Sequence, residues 1–235
     1  MFLLGSFVDI LLVGNSRTGY AIRMINPVPT ETGWRGSREG WLEAGYQALI
    51  ESGIDAVKIQ PLARLLGLSR TSFYWFFQER EALLNALLEG WEERTSKPFI
   101  AATRAYAESQ TEAMLNILAC FLSHDFDARL EFAVRSWALQ DAGVAARIKH
   151  ADDARLAAVV KMLIRWGHPE QGADVRARTV YLVQIGYISM QVNEGLDTRL
   201  ARIPTYVEIY TGHPPEPREM ARFNARFVSA PPDAG

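Results

Sequence analysis

Five aromatic side chains stand in a row at residues 73–77, Phe-Tyr-Trp-Phe-Phe, inside the stretch LARLLGLSRTSFYWFFQEREALL (62–84). A helix turns about 100° per residue, so five consecutive side chains point all the way round it. A globular core accepts one stripe of such a helix and no more. The row therefore divides. Phe73, Phe76 and Phe77, spaced i, i+3 and i+4, form a stripe for burial, which leaves Arg70, Thr71, Tyr74 and Trp75 on the opposite face.

The segments around this row share its helical period. Trp41, Leu42, Ala44, Gly45, Ala48 and Leu49 make a stripe that Gly53 ends. A short helix over about 59–66 carries Pro61 in its first turn, where a missing N–H costs little. Gly67 gives a tight turn and Ser69 suits an N-cap for the next helix. A fourth helix runs from about Gln78 to Arg94 through Leu83, Leu84, Leu87, Leu88 and Trp91. Beyond Lys97-Pro98, helices are expected over about 99–121, 127–139, 143–166, 170–194, 199–211 and 216–228. No strand-like alternation persists, and the fold class is all-α. The divisions expected are an irregular extension, 1–36; a first helical domain, 37–96; a second, 97–228; and a tail, 229–235.

The N-terminal run MFLLGSFVDILLVG is too short for a membrane helix and lacks the positive flank of a signal peptide. Met24 is the favoured true start. The chain of 235 residues is 49% hydrophobic with a net charge of −2, the profile of a soluble globular protein and not of a polycation. Nucleic-acid binding would need a local patch. The single cysteine, Cys120, builds no disulfide framework and fits a reducing cytoplasm. His124, His150, His168 and His213 have no metal-ligand spacing, so neither metal nor cofactor is expected.

Such a patch exists. Two short helices joined at a glycine, the second with a buried stripe and a polar-aromatic outer face, form a helix-turn-helix unit, whose second helix enters the DNA major groove. Between Ala56 and Gln78 there is no acidic residue, against Lys58, Arg64 and Arg70, with Arg80 close behind. Arg70 can donate to guanine, Thr71 and Ser72 to base edges. The Tyr74 hydroxyl and the first N–H groups of the helix suit phosphate.

Residues 38–84 resemble the DNA-binding domain of the tetracycline-repressor (TetR) family of bacterial regulators. REGWLEAGYQALIESG is similar to the family's first helix, LARLLGLS to its second helix and turn, and TSFYWFFQERE to its recognition helix and the start of the fourth. The resemblance implies that Tyr74 holds the DNA backbone, with Ser69 opening the helix and Arg70, Thr71, Ser72 and Trp75 toward bases or sugar. Arg80 stands where the family usually has a phosphate-binding lysine. Lys58 replaces a helix-capping threonine and could itself reach phosphate. Phe76 stands where a polar ring is common.

The resemblance further implies that the later helices dimerise and bind a small-molecule effector. A dimer face is expected in DVRARTVYLVQIGYISMQV, through Ala177, Val180, Tyr181, Gln184, Ile185, Tyr187 and Ile188. Effector candidates are Met114, Leu118, Phe121, His124, Phe132, Arg135 and Trp137, although Arg135 with Asp152 would also make an ordinary helix–helix ion pair. The function expected is a homodimeric repressor, released from operator DNA by an effector. Alternatives are a family member acting only through protein contacts and, lacking any catalytic constellation, a small helical enzyme.

Overall fold

A computed structural model describes residues 36–227 except residue 124. Residues 1–35 of the expected extension, the start at Met24, the tail from 229 and His124 lie outside the described residues. Within them the secondary structure is entirely helical, in the order α1 (Arg38–Ser52), a 3-10 turn (Ile54–Ala56), α2 (Ile59–Leu65), α3 (Arg70–Phe73), α4 (Arg80–Ala102), α5 (Gln110–Leu122), α6 (Ala128–Ala138), α7 (Ala142–Arg165), α8 (Glu170–Ser189), α9 (Leu196–Thr211) and α10 (Pro217–Ala225).

Local chemistry sets the boundaries. The Ser37 hydroxyl accepts the Gly40 N–H at 3.0 Å and opens α1. After α2 the chain closes in a Schellman arrangement, with Gly67 at φ +65° and the Leu68 N–H donated to the Ala63 carbonyl at 2.8 Å. Trp41, Leu49, Val57, Leu62, Phe73, Phe77, Leu83, Leu87 and Trp91 fill the core of this first region. Phe73 meets Trp41 edge-on with ring centroids 5.2 Å apart, and Phe77 stacks on it at 5.4 Å. Phe76 is half-buried against the same core. α1 and α4 cross closely at glycines: the Leu87 side chain lies 3.2 Å from where a Gly45 Cβ would sit, and the Tyr46 hydroxyl 1.6 Å from that of Gly90.

α4 does not begin at Gln78 or stop at about Arg94, ahead of Lys97-Pro98, as its sequence suggests. It continues to Ala102 and keeps Pro98 inside. Proline removes the N–H that the Arg94 carbonyl would accept; the Asp127 N–H takes its place at 3.2 Å. Beyond it Phe99 is fully buried, which anchors the last turn. Residues 103–109 then form a loop, so the helix expected from 99 begins only at Gln110.

α4 thus belongs to two apolar clusters. One joins Phe99 to α5, the C-terminal half of α7, and α8 through α10. The other extends the N-terminal core into α6, through Leu130, Ala133, Val134 and Trp137, and into the start of α7. Between them lies a buried polar network. Glu131 of α6 and Arg155 of α7, both 0% exposed, pair at 2.9 Å. The Trp91 indole N–H donates to Glu131 at 2.6 Å, and Arg155 donates to Thr95 at 2.8 Å and to the Tyr181 hydroxyl at 2.9 Å. Burial alone would raise the Glu131 carboxyl pKa; the Arg155 and Arg135 guanidiniums and the indole N–H outweigh it and hold it below the ordinary range. Among the described residues no helix is long and apolar enough to cross a membrane.

Candidate nucleic-acid interface

The segment expected to meet DNA is shorter than a regular helix. α3 has one α-helical turn, and then the chain tightens, with i to i+3 bonds from the Trp75 and Phe76 N–H groups to the Ser72 and Phe73 carbonyls. Three residues per turn put Phe73 and Phe76 on one side and leave Tyr74 and Trp75 for the others. Tyr74 is 47% and Trp75 64% exposed.

Arg70 and Thr71 are exposed beside them, and the Arg70 guanidinium donates to the Tyr74 hydroxyl at 3.1 Å. Among the described residues Arg70 forms no ion pair with a carboxylate, so its positive charge remains available. Lys58 and Arg64 are exposed on α2 and its approach. The stretch from 57 to 78 that carries them contains no acid, so nothing on it repels a polyanion.

Three expected contacts sit differently. Ser69 occupies the N-cap position with extended backbone, but its hydroxyl makes no capping bond. Ser72 is 5% exposed and donates its hydroxyl to the Ser69 carbonyl at 2.8 Å, turned in rather than out with Thr71. Arg80 donates to the carbonyls of Val57 at 2.7 Å and Ile54 at 3.2 Å, clasping the turn between α1 and α2 to the start of α4. Both side chains follow local hydrogen bonding. A buried hydroxyl and a half-buried guanidinium each need partners, and the backbone supplies them nearest.

The stripe expected to form the dimer face lies inside the chain's own fold. Ala177, Val180, Tyr181, Gln184 and Ile185 are buried against the chain's own helices, and Ile188 is half-buried. α8 carries apolar residues all round, so its most regular stripe goes to the core, and Val175 (58% exposed) and Leu182 (59%) are left on the outside with Thr179. Gly186 joins this outer line, and a Cβ there would meet nothing within 4 Å. Val175 and Thr179 share an outer hollow of about 550 Å³ with Ile209 of α9.

The effector candidates scatter. Met114 and Trp137 are core residues, and Arg135 pairs with Asp152 at 2.6 Å and with Glu131 at 2.7 Å. Leu118 is buried too, although it borders a narrow crevice. Phe121 and Phe132 do face a cleft, of about 480 Å³, with Ile50 of α1 and Gln184, Tyr187 and Arg199 of α8 and α9. Arg199 escaped the sequence reading, though one sign of it was present: it falls on the same stripe as Ile203, Tyr206 and Tyr210. Among the described residues no three His, Cys, Asp or Glu side chains gather as metal ligands.

Residues 42–87 match the sequence model of the bacterial regulatory proteins of the tetR family. Among curated proteins none matches the chain at a significant level. Solved structures share its fold at low identity. Salmonella enterica GusR is 15% identical with a TM-score of 0.59, over 74% of this chain and 93% of that one. Mycobacterium smegmatis AmtR is 17% identical with a TM-score of 0.54, over 87% and 100%. A transcriptional regulator from Rhodococcus sp. Rha1 is 15% identical with a TM-score of 0.51, over 81% and 97%.

Proposed function

With residues 42–87 matching the tetR-family model and the described residues folded entirely as helices, we propose that the protein is a cytoplasmic transcriptional repressor that binds operator DNA as a homodimer and lets go when a small molecule enters its C-terminal helices. The observation that carries this is the outward group Arg70, Thr71, Tyr74 and Trp75, beside Lys58 and Arg64 and without an acid among them. Arg70 and Thr71 suit base edges, and the Tyr74 hydroxyl, Ser69, Lys58 and Arg64 suit the phosphate backbone. Arg80 acts by holding the turn before α2, and so sets where Lys58 stands.

Dimerisation is assigned to the outer line of α8 and its neighbour on α9: Val175, Thr179, Leu182, Gly186 and Ile209. Small residues at Thr179 and Gly186 let a partner helix approach closely. A two-fold dimer then offers two recognition segments to successive major grooves, about 34 Å apart. The effector is assigned to the cleft walled by Phe121 and Phe132, because Ile50 brings α1 of the DNA-binding domain into the same wall. A ligand that shifts α1 changes the fit of both segments to DNA, which couples the two sites.

The test is a gel shift with the DNA upstream of the protein's own gene, repeated over a range of salt. Binding should weaken linearly on logarithmic axes, by about 0.9 in slope per phosphate neutralised. Replacing Arg70 and Tyr74 together by alanine should abolish the specific complex and leave the melting temperature little changed, since both side chains are exposed. A double variant that binds as tightly as the parent refutes the assignment of this face.

A further inference from the structure

The cleft described above has a chemical bias of its own. Arg129 and Arg199 both line it, together with the rings of Phe121, Phe132 and Tyr187, and none of the lining residues is acidic. Arg199 is half-buried with its guanidinium 4.9 Å from the centre of the Tyr187 ring. Among the described residues its guanidinium forms neither a hydrogen bond nor an ion pair. The acid nearest in charge, Glu194, is taken by Arg202 at 2.6 and 2.9 Å. Burial lowers the Arg199 pKa from its ordinary value and outweighs the opposing pull of Tyr187 and Glu194, the reverse of Arg135 and Arg155, which own their carboxylates. A guanidinium withdrawn from water without an anion is costly, and a ligand anion would remove that cost.

Gln184 adds a neutral polar group to the same wall. It is 5% exposed and borders both the cleft and the crevice beneath it, where Arg199 and Tyr187 also stand. Ile50, Phe132, Ile188, Ala128 and Val192 give the wall its apolar part, and Gln191 and Asn193 add two further neutral polar groups. The volume of about 480 Å³ falls in the range of small-molecule sites.

We infer that this cleft binds an organic carboxylate with an apolar body, the carboxylate on Arg199 and the body between Phe121, Phe132 and Ile50. Arg129 at the exposed side adds a second positive charge, which attracts the anion to the entrance. The inference rests on the effector reading for its regulatory meaning, but not for its chemistry, which concerns the protein alone.

The experiment is calorimetric titration of the full chain, without DNA, using two acids, 4-phenylbutyrate and octanoate, each against its uncharged amide. At least one acid should bind about tenfold or more tightly than its amide, the difference a charge-assisted bidentate contact supplies. Arg199→Gln should abolish that preference and leave amide binding within about twofold, because the apolar wall is untouched. Arg199→Lys, which keeps the charge but not the fork, should retain part of it. It decides the matter if the glutamine variant unfolds. Equal binding of acid and amide, an unchanged preference in Arg199→Gln, or no heat from either acid at millimolar concentration overturns the inference. A gel shift on the same preparation reports DNA binding separately, so failure here leaves the regulator assignment to stand or fall on its own test.

Discussion

Arg155→Met is the substitution whose cost can be worked most fully. Arg155 is fully buried, and every one of its guanidinium nitrogens is used: Nε toward Ser96 at 2.9 Å, Nη1 toward Glu131 and Tyr181 at 2.9 Å each, and Nη2 toward Thr95 at 2.8 Å and Glu131 at 3.2 Å. Methionine fills comparable space but leaves the Glu131 carboxylate buried with only Arg135 and the Trp91 indole. Breaking a buried pair from one side costs about 3–5 kcal/mol, which for a chain of this size lowers the melting temperature by about 6–20 °C. The pH dependence identifies the cause. In the parent the Glu131 pKa is held below the ordinary carboxylate range, so its contribution is present above that range and is lost as pH falls through the folded value. In Arg155→Met the carboxyl loses its main cation, is protonated sooner as the solution is acidified, and the gap between the two proteins narrows. Adding Glu131→Gln to Arg155→Met should recover about 1–3 kcal/mol through coupling. Thermal melts by circular dichroism at pH 7 and pH 4 measure all of this. A variant that melts with the parent at pH 7, or a gap that does not shrink at pH 4, refutes the charge argument.

Gly90→Ala should destabilise by about 1–3 kcal/mol, since its Cβ would sit 1.6 Å from the buried Tyr46 hydroxyl; an unchanged denaturation midpoint would mean the α1–α4 crossing yields freely. Leu182→Glu, on the outer face of α8, should give monomers in sedimentation velocity at concentrations where the parent sediments as a dimer, and a persistent dimer would move the interface elsewhere. Burial, and then Asp125, push the Cys120 thiol up to about 12, so iodoacetamide at pH 8 should label native protein far more slowly than unfolded protein; equal rates would contradict the burial.

Most of the fold was legible because helices announce themselves by period. The row Phe73–Phe77 divided as its spacing required, with Phe73 and Phe77 inside and Tyr74 and Trp75 outside. Pro98 misled because proline usually ends a helix, and the sequence does not reveal that Asp127, from a distant loop, serves the carbonyl it frees. α8 misled for a different reason: its apolar positions surround the helix, and periodicity finds the strongest stripe without saying whether a core or a second subunit covers it. Ser72 and Arg80 have the residue types DNA contacts use, but local backbone acceptors claim their donors. Phe121 and Phe132, picked as apolar lining, do border the cleft. Arg199 was missed because a lone arginine on an amphipathic helix reads as surface.

α4 spans both apolar clusters, and that gives it leverage. It is pinned at the far end by Phe99, touches the ion network at Trp91 and grips the α1–α2 turn through Arg80. With a rise of 1.5 Å per residue, the arm from Trp91 to Arg80 is about 16 Å long, so a tilt of about 10° at that fulcrum carries the Arg80 end by about 3 Å. A small rotation of the rod about Trp91 would thus be magnified where Arg80 holds the backbone leading into Lys58.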